Sequence, residues 1–137
     1  MRETKTMTGK VKKKTILLVE DDPAVLSMLV KNLEYFGYEV IQAVDGMEGL
    51  KMLETGRYDL VITDIVMPYV SGVGVVSALK QKMPQIPVIA ITGYGKEPET
   101  AALEKKADLV LAKPVKIAYL KEEIARLLGS SHKEEAP

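Results

Sequence analysis

Five short apolar segments, each followed by residues with helical periodicity, most constrain the fold of this chain. Most of the segments lack polar alternation, which is typical of strands buried on both faces of a parallel sheet. The segments are residues 16–19, 39–44, 59–63, 86–91 and 109–112. Because parallel strands need crossover connections of helix length, this repeated order predicts a parallel sheet covered by helices on both faces.

Residues typical of helix starts and helix ends flank the segments between the predicted strands. Asp22 precedes Pro23, and Asp45 is followed three residues later by Glu48, which are N-cap and capping-box arrangements. Gly37 is a stop signal for the first helix. The predicted helices are residues 23–36, 46–55, 73–83, 97–106 and 117–128. The fourth of them has the smallest apolar face and should be the least firmly packed.

The length and charge of the chain restrict its function. A chain of 137 residues can form one domain with a buried core. Nineteen Lys and Arg residues balance nineteen Asp and Glu residues, so net charge gives no reason to expect direct binding of nucleic acid or membrane. The only histidine, His132, lies near the carboxyl terminus, which excludes a His-based metal cluster from the predicted folded part.

The ends of the chain and its cysteine content suggest a location. There is no cysteine, no signal-peptide core, and no apolar run near the roughly 20 residues that span a bilayer. These features predict a cytoplasmic domain at residues 15–128. A flexible basic arm is expected at residues 1–14 and a flexible tail at residues 129–137.

Polar side chains stand at the carboxyl ends of the predicted strands. They are Glu20, Asp21, Asp64, Thr92 and Lys113. Such ends share one edge of a parallel sheet, where open α/β folds bind their ligands. Each residue alone has an ordinary explanation as a cap, a turn hydroxyl or a surface charge. Together they supply the groups needed for Mg²⁺-assisted phosphoryl transfer to a carboxylate.

Short motifs along the chain resemble those of the response-regulator receiver domain of two-component signalling. They are residues 16–23 (Ile-Leu-Leu-Val-Glu-Asp-Asp-Pro), residues 45–46 (Asp-Gly), residues 64–68 (Asp-Ile-Val-Met-Pro) with Gly72, residues 91–93 (Ile-Thr-Gly) and residues 113–114 (Lys-Pro). The resemblance covers residues 15–128, and the order and spacing of the motifs make it specific. It implies a doubly wound, CheY-like sheet with strand order 2-1-3-4-5 and five helices.

The resemblance also implies roles for the acidic residues. Asp64 would be the phosphoacceptor, a nucleophile that forms an acyl phosphate. Asp21, Asp64 and the backbone carbonyl of Val66 would bind Mg²⁺ directly, and Glu20 would act mainly through water. This set suits Mg²⁺, which takes one or two carboxylates and keeps several waters.

The remaining two polar residues would act on the phosphoryl group. By the same resemblance, Lys113 would supply a positive charge and Thr92 a hydroxyl donor to phosphoryl oxygens. The Lys113–Pro114 peptide bond is expected to be cis, as is typical of the family.

Four positions depart from the usual family pattern. Val110 replaces an aromatic residue of the conformational switch, and Lys106 replaces a common glycine. Ser71 and Gly74 stand where acidic residues are frequent. None of these changes touches the phosphorylation chemistry, but a valine has few side-chain rotamers with which to switch.

We therefore favour a phosphorylation-controlled binding module over an enzyme. A sensor histidine kinase or a phosphotransfer protein would load Asp64. The surface formed by the fourth predicted helix, the fifth strand and the last helix would then select an output protein or domain.

Three alternatives remain open from the sequence. The chain could be a receiver domain of a hybrid histidine kinase or of a larger regulator. A haloacid-dehalogenase-type phosphatase also uses an aspartate after an apolar strand, but it needs a second aspartate where this chain has Val66. A docking domain that works without phosphorylation is disfavoured by the intact acid pair, Thr92 and Lys113.

Overall fold

A parallel sheet of five strands forms the centre of the protein. The computed structural model describes residues 12–67, 71–93 and 106–134. The strands are β1 (Thr15–Val19), β2 (Glu39–Ala43), β3 (Leu60–Asp64), β4 (Val88–Thr92) and β5 (Leu109–Ala112). Their order in the sheet is β2-β1-β3-β4-β5. The predicted parallel sheet and its strand order are confirmed.

Four helices flank the sheet within the described ranges. They are α1 (Pro23–Tyr35), α2 (Gly46–Thr55), α3 (Gly72–Lys82) and α4 (Ile117–Glu134). The helix predicted at residues 97–106 lies outside the described residues, except for Lys106. None of the described helices is both long and apolar enough to cross a membrane.

The last helix is longer than the sequence suggested. Helix α4 continues through Gly129 to Glu134, whereas the prediction ended it at Leu128. A glycine inside a helix costs only about 1 kcal/mol relative to alanine, so it does not by itself end one. Residues 129–134, which we predicted as part of a flexible tail, therefore extend α4.

Side-chain caps fix where α1 and α2 begin. Asp22 Oδ1 accepts hydrogen bonds from two backbone N–H groups in the first turn of α1, at 2.9 and 3.2 Å. Asp45 Oδ1 accepts from the Glu48 N–H at 2.9 Å, and Glu48 Oε1 accepts from the Val44 N–H at 2.7 Å. The capping box is therefore present, but Glu48 reaches one residue before the N-cap. Both helices begin close to the carboxyl ends of their strands.

Apolar side chains cover both faces of the sheet. Helices α2 and α3 pack against one face through Leu53, Val75, Val76 and Leu79. Helices α1 and α4 pack against the other face through Leu26, Leu29, Leu33, Leu120 and Ile124. Full burial of one such side chain is worth about 2 kcal/mol. The two layers hold the strands rigidly, so residues at the strand ends keep fixed relative positions.

Gly49 allows α2 to approach the end of β1. A Cβ atom at Gly49 would lie 3.1 and 3.3 Å from the methyl groups of Val19, which is tighter than ordinary contact. Val19 is the last residue of β1 and directly precedes Glu20. The glycine therefore lets the helix support the strand end that carries the acid pair.

Lys106, where the family usually has a glycine, joins the start of β5 to α3. Its Nζ lies 3.2 Å from Ser77 Oγ. A second link lies beside it, because Lys80 Nζ donates to Asp108 Oδ2 at 3.1 Å. That same carboxylate oxygen accepts from the Val88 N–H at 2.8 Å. Polar contacts thus attach α3 to the amino-terminal ends of β4 and β5.

Candidate functional site

The register of the sheet brings the acidic ends of β1 and β3 together. Val19 pairs with Thr63, so Glu20 and Asp64 directly follow paired positions on neighbouring strands. One carboxylate oxygen from each of Glu20, Asp21 and Asp64 lies within 4.8 Å of the others. Glu20 and Asp64 are 1% and 3% exposed, whereas Asp21 is open to solvent. The arrangement is an acidic cluster with two buried members and one accessible member.

Two donors fix the orientation of the Asp64 carboxylate. The backbone N–H of Ile65 donates to Oδ1 at 2.8 Å. The ammonium group of Lys113 donates to Oδ2 at 3.1 Å. Because each oxygen has its own donor, the carboxylate group cannot rotate freely.

Lys113 holds its charge beside two carboxylates. The backbone N–H of Lys113 donates to the Thr92 carbonyl at 2.8 Å. This bond fixes the residue, and with it the side chain, at the end of β5. Its Nζ lies 3.6 Å from Glu20 Oε2 as well as near Asp64. Burial lowers the pKa of Lys113, but the hydrogen bond to Asp64 and the surrounding acidic charges outweigh it, so the net pKa is raised. The Lys113–Pro114 peptide bond is cis, as the resemblance implied.

The pKa of Glu20 is strongly raised by its surroundings. Burial is the main reason why its pKa is raised to about 7, and the charge of Asp64 adds to the effect. The Asp22 N–H, which donates to Oε2 at 3.0 Å, acts in the opposite direction and so does Lys113. Three carboxylates this close repel one another, and a cation bound among them would relieve that repulsion.

Two buried polar atoms at the site lack partners. Within the part of the chain that the structure describes, Glu20 Oε1 and Thr92 Oγ1 are buried and form no hydrogen bond. Thr92 is the last residue of β4 and is fully buried. A buried polar atom without a partner costs about 1–3 kcal/mol, so such atoms at a site indicate groups that bind a ligand.

Val66, unlike Glu20, Asp64 and Thr92, is exposed to solvent. It follows β3 by two positions, and its side chain is 59% exposed. The role of its backbone carbonyl as a metal ligand stays a prediction.

Sequence reasoning missed the backbone donors of the site. The N–H groups of Ile65 and Asp22 hold the carboxylates of Asp64 and Glu20. Every residue except proline carries such a donor, so residue type gives no signal for this role. The preference of a carboxylate at the end of a strand for nearby backbone N–H groups is the one hint that could have been used.

An apolar groove adjoins the acidic cluster. It has a volume of about 500 Å³ and lies between α1 and the residues that precede α4. The described residues that line it are Val25, Met28, Gly93, Lys113, Pro114 and Val115. Lys113 therefore belongs to both the groove and the cluster.

A doubly wound parallel sheet with an acidic cluster and a lysine at its carboxyl edge defines the class of this protein. The family model described as the response regulator receiver domain matches residues 16–125. The chain belongs to this family, as its motifs predicted, and is a receiver domain of two-component signalling. Domains of this family are signalling modules and not conventional enzymes.

Curated relatives include two named transcriptional regulators. The alkaline phosphatase synthesis transcriptional regulatory protein PhoP of Bacillus subtilis is 37% identical over 102 residues, which are 74% of this chain and 42% of PhoP. The transcriptional regulatory protein PrrA of Mycobacterium tuberculosis is 38% identical over 114 residues, which are 82% of this chain and 49% of PrrA. The chain thus spans less than half the length of these relatives.

Solved structures of similar proteins support the same assignment. A CheY-like response regulator receiver domain from Methanospirillum hungatei has a TM-score of 0.83 and 34% identity, covering 90% of this chain and 99% of that one. The response regulator TrrA from Thermotoga maritima, solved in complex with Mg²⁺ and BeF, has a TM-score of 0.78 and 36% identity, covering 84% and 99%.

Proposed function

We propose that Asp64 accepts a phosphoryl group from a sensor histidine kinase or a phosphotransfer protein in an Mg²⁺-dependent reaction. One observation carries the proposal: the Asp64 carboxylate is buried and held by Lys113 and the Ile65 N–H, beside Glu20 and Asp21. A nucleophile must be fixed in place if it is to attack along the line of the breaking bond.

The transfer is a displacement at phosphorus. An oxygen of the Asp64 carboxylate forms a bond to phosphorus, and the bond from phosphorus to the leaving group of the donor breaks. The product is an acyl phosphate, and the leaving group keeps the electron pair of the broken bond. The Lys113 ammonium, already 3.1 Å from Oδ2, faces the charge that the phosphoryl oxygens bring to the site. The domain thereby assists its own phosphorylation.

The acidic cluster fits a divalent cation with oxygen ligands. The carboxylates of Asp21 and Asp64, with the carbonyl of Val66, would hold Mg²⁺, and Glu20 would act mainly through water. The close set of three carboxylate oxygens and the unpartnered Glu20 Oε1 support this assignment among the described residues. When bound, Mg²⁺ neutralises charge on the entering phosphoryl group. The presence of Mg²⁺ and BeF in the TrrA structure, as its name states, is in agreement.

Thr92 would connect the modified site to the protein surface. Its hydroxyl is buried at the end of β4 and is free to donate to a phosphoryl oxygen. The helix predicted at residues 97–106, the fourth in chain order, would follow the loop that begins at Thr92. Movement of Thr92 would shift this loop and change the surface that an output partner recognises.

The apolar groove supports a protein as the phosphoryl donor. A small-molecule donor needs only the acidic cluster, whereas a helix of a kinase or phosphotransfer protein can bury apolar side chains against Val25 and Met28. Lys113 lines the groove, so a partner bound there would have its phosphorylated group close to Asp64. Met28→Asp should therefore slow transfer from the protein donor more than transfer from acetyl phosphate.

The names and lengths of the relatives bear on how this domain delivers its response. Both PhoP and PrrA are named transcriptional regulators, and the match covers less than half of each. We propose that a cytoplasmic partner or a further domain delivers the response, and that this domain itself makes no direct contact with nucleic acid or membrane. The phosphatase alternative gains no support, because the Val66 side chain cannot transfer a proton.

Phosphorylation and switching can be tested together. Acetyl phosphate with Mg²⁺ should add one phosphoryl group, seen by intact-protein mass spectrometry, and beryllofluoride with Mg²⁺ should shift amide resonances around Asp64 and Thr92. Asp64→Asn should abolish the added mass. Asp45→Asn, an N-cap change at the same edge of the sheet, should preserve it. Full phosphorylation of Asp64→Asn would overturn the proposal.

A further inference from the structure

Thr63 places a hydroxyl between the apolar residues of β3 and its last residue, Asp64. Its side chain is fully buried and lies on the same face of β3 as Val61, whose apolar layer also contains Ile65. Thr63 Oγ1 donates a hydrogen bond to the backbone carbonyl oxygen of Asp64 at 3.0 Å. A valine would fill nearly the same volume without the polar group. The hydroxyl is therefore distinguished by its contact with the backbone of the phosphoacceptor.

The carbonyl that Thr63 contacts belongs to a peptide group that also holds the nucleophile. Asp64 O and Ile65 N are parts of one planar, rigid unit. At its other end, the Ile65 N–H points to Asp64 Oδ1 at 2.8 Å and to the Ile91 carbonyl at 2.9 Å. A hydroxyl that donates to the carbonyl polarises the peptide and strengthens the N–H as a donor. Hydrogen bonds thus run from Thr63 through the peptide to the carboxylate.

Gly72, the first residue of helix α3, packs directly against the same peptide group. A Cβ atom at Gly72 would clash with the carbonyl oxygen of Asp64 and would lie 2.7 Å from Ile65 Cα. The Gly72 N–H also donates to the Ile65 carbonyl at 2.9 Å. The Asp64–Ile65 peptide is therefore confined by the start of α3 as well as by Thr63 and β4.

We propose that Thr63 is a positioning residue for phosphoryl transfer, which sets the direction of the Asp64 carboxylate through the Asp64–Ile65 peptide. This role rests on the proposed phosphorylation of Asp64. The Thr63 hydroxyl contacts the backbone of Asp64, so its effect on phosphoryl transfer is indirect. Its contribution is to keep the nucleophile aligned before the donor arrives.

A pair of substitutions separates the hydroxyl from the packing. Thr63→Val removes the hydroxyl at similar volume, and Thr63→Ser keeps it. With acetyl phosphate and saturating Mg²⁺, we expect Thr63→Val to be phosphorylated about tenfold more slowly than the wild type, and Thr63→Ser within about twofold. Val61→Ala is the control, because it weakens the packing on the same face of β3 and leaves the Asp64–Ile65 peptide group untouched. The phosphorylation rate of this variant should equal that of the wild type.

The Ile65 amide proton gives a second readout that needs no phosphorylation. Its resonance should move upfield in Thr63→Val, because a weaker hydrogen bond deshields the proton less, and should stay in place in Thr63→Ser and Val61→Ala. If Thr63→Val does not fold, Thr63→Ala provides the same comparison.

The proposal requires both readouts to change together. An unchanged rate, an unmoved Ile65 resonance, or a Thr63→Ser variant as slow as Thr63→Val would each overturn it. A wild-type protein that takes up no phosphate would instead overturn the proposed function. In that case the Ile65 resonance still decides whether Thr63 controls the peptide.

Discussion

The ammonium group of Lys113 lies 3.1 Å from Asp64 Oδ2, which joins the end of β5 to the end of β3 across β4. The Lys113 side chain is only 28% exposed, so solvent screens this ion pair incompletely. The same ammonium lies 3.6 Å from Glu20 Oε2. One cation therefore offsets part of the charge of carboxylates from two strands, and it does so where Mg²⁺ is proposed to bind.

Lys113→Met should separate metal binding from phosphorylation. Loss of the ammonium removes a repulsive charge, so we expect Mg²⁺ affinity to rise several-fold. Phosphorylation by acetyl phosphate should nevertheless slow by at least about tenfold, because the phosphoryl oxygens lose a positive partner. Calorimetric titration and mass spectrometry measure the two effects, with the exposed Lys116→Met as control. Weaker Mg²⁺ binding in Lys113→Met would contradict the charge argument.

Asp21→Ala should lower Mg²⁺ affinity more than Glu20→Ala does. Asp21 is the proposed direct ligand, and the role proposed for Glu20, through water, is worth roughly tenfold in metal affinity. Calorimetric titration of both variants decides the order. Unfolding should be measured alongside, because Glu20→Ala also frees the Asp22 N–H. Equal losses of affinity would show that the pair has been misassigned.

Mg²⁺ binding should weaken as the pH falls through about 7, the raised pKa of Glu20. Protonation removes a negative charge that the cation requires, so the affinity should be lower near pH 6 than near pH 8. Because the folded-state pKa exceeds the ordinary value of 4.5, protonation of Glu20 also stabilises the metal-free fold, and this contribution is lost as the pH rises through about 7. Glu20→Gln should remove most of the pH dependence of binding. An unaltered pH profile in Glu20→Gln would assign the dependence to another group.

The phosphorylated form should hydrolyse slowly. Val66 is exposed at the site but offers no polar group to orient an attacking water. Tyr94, two residues after Thr92 in the sequence, is also predicted to shield the site with its ring, and it lies outside the described residues. Val66→Asn should change the lifetime of the phosphorylated form several-fold, followed by the loss of added mass over time. An unchanged lifetime would place the control of hydrolysis elsewhere.

The conformational response should depend on Thr92 and not on Val110. Val110 is half-buried, pairs with Ala90 and packs against the apolar layer under α2 and α3. A β-branched side chain held there has few alternative rotamers. Thr92→Ala should therefore suppress the amide shifts that beryllofluoride induces in the loop after β4, whereas Val110→Ala should leave them largely intact. Loss of the response in a folded Val110→Ala variant would contradict this.

The sheet and the acidic cluster could be predicted from sequence because both depend on the same pattern. Parallel strands end at one edge of the sheet, and the strand order 2-1-3-4-5 that the family resemblance implies sets the strand ending in Asp64 beside the strand that precedes Glu20. The register then brings their acids together. Lys113 and Thr92 follow from the same argument. Residue type, position along the strand and the strand order implied by the resemblance are together sufficient for this level of prediction.

Contacts that depend on backbone direction could not be predicted. The Ile65 N–H and the Thr63 hydroxyl both act on Asp64, yet neither residue differs in type from an ordinary strand residue. The link between Lys80 and Asp108 joins residues far apart in sequence with no local spacing rule. The extension of α4 past Gly129 likewise depends on the surrounding helix and not on the glycine itself.

The two unpartnered buried atoms, Glu20 Oε1 and Thr92 Oγ1, imply a trade-off between robustness and signalling. Among the described residues, they are the buried side-chain polar atoms whose hydrogen-bonding capacity the folded protein leaves unused. At Thr92, whose hydroxyl is its only side-chain polar group, the apolar replacement Thr92→Val should raise the melting temperature of the ligand-free domain while making it unresponsive. For the native chain, ligands that occupy these atoms should appear as thermal stabilisers, so a melting curve reports on occupancy of the site. Selection for heat resistance alone would therefore tend to erode the signalling site first.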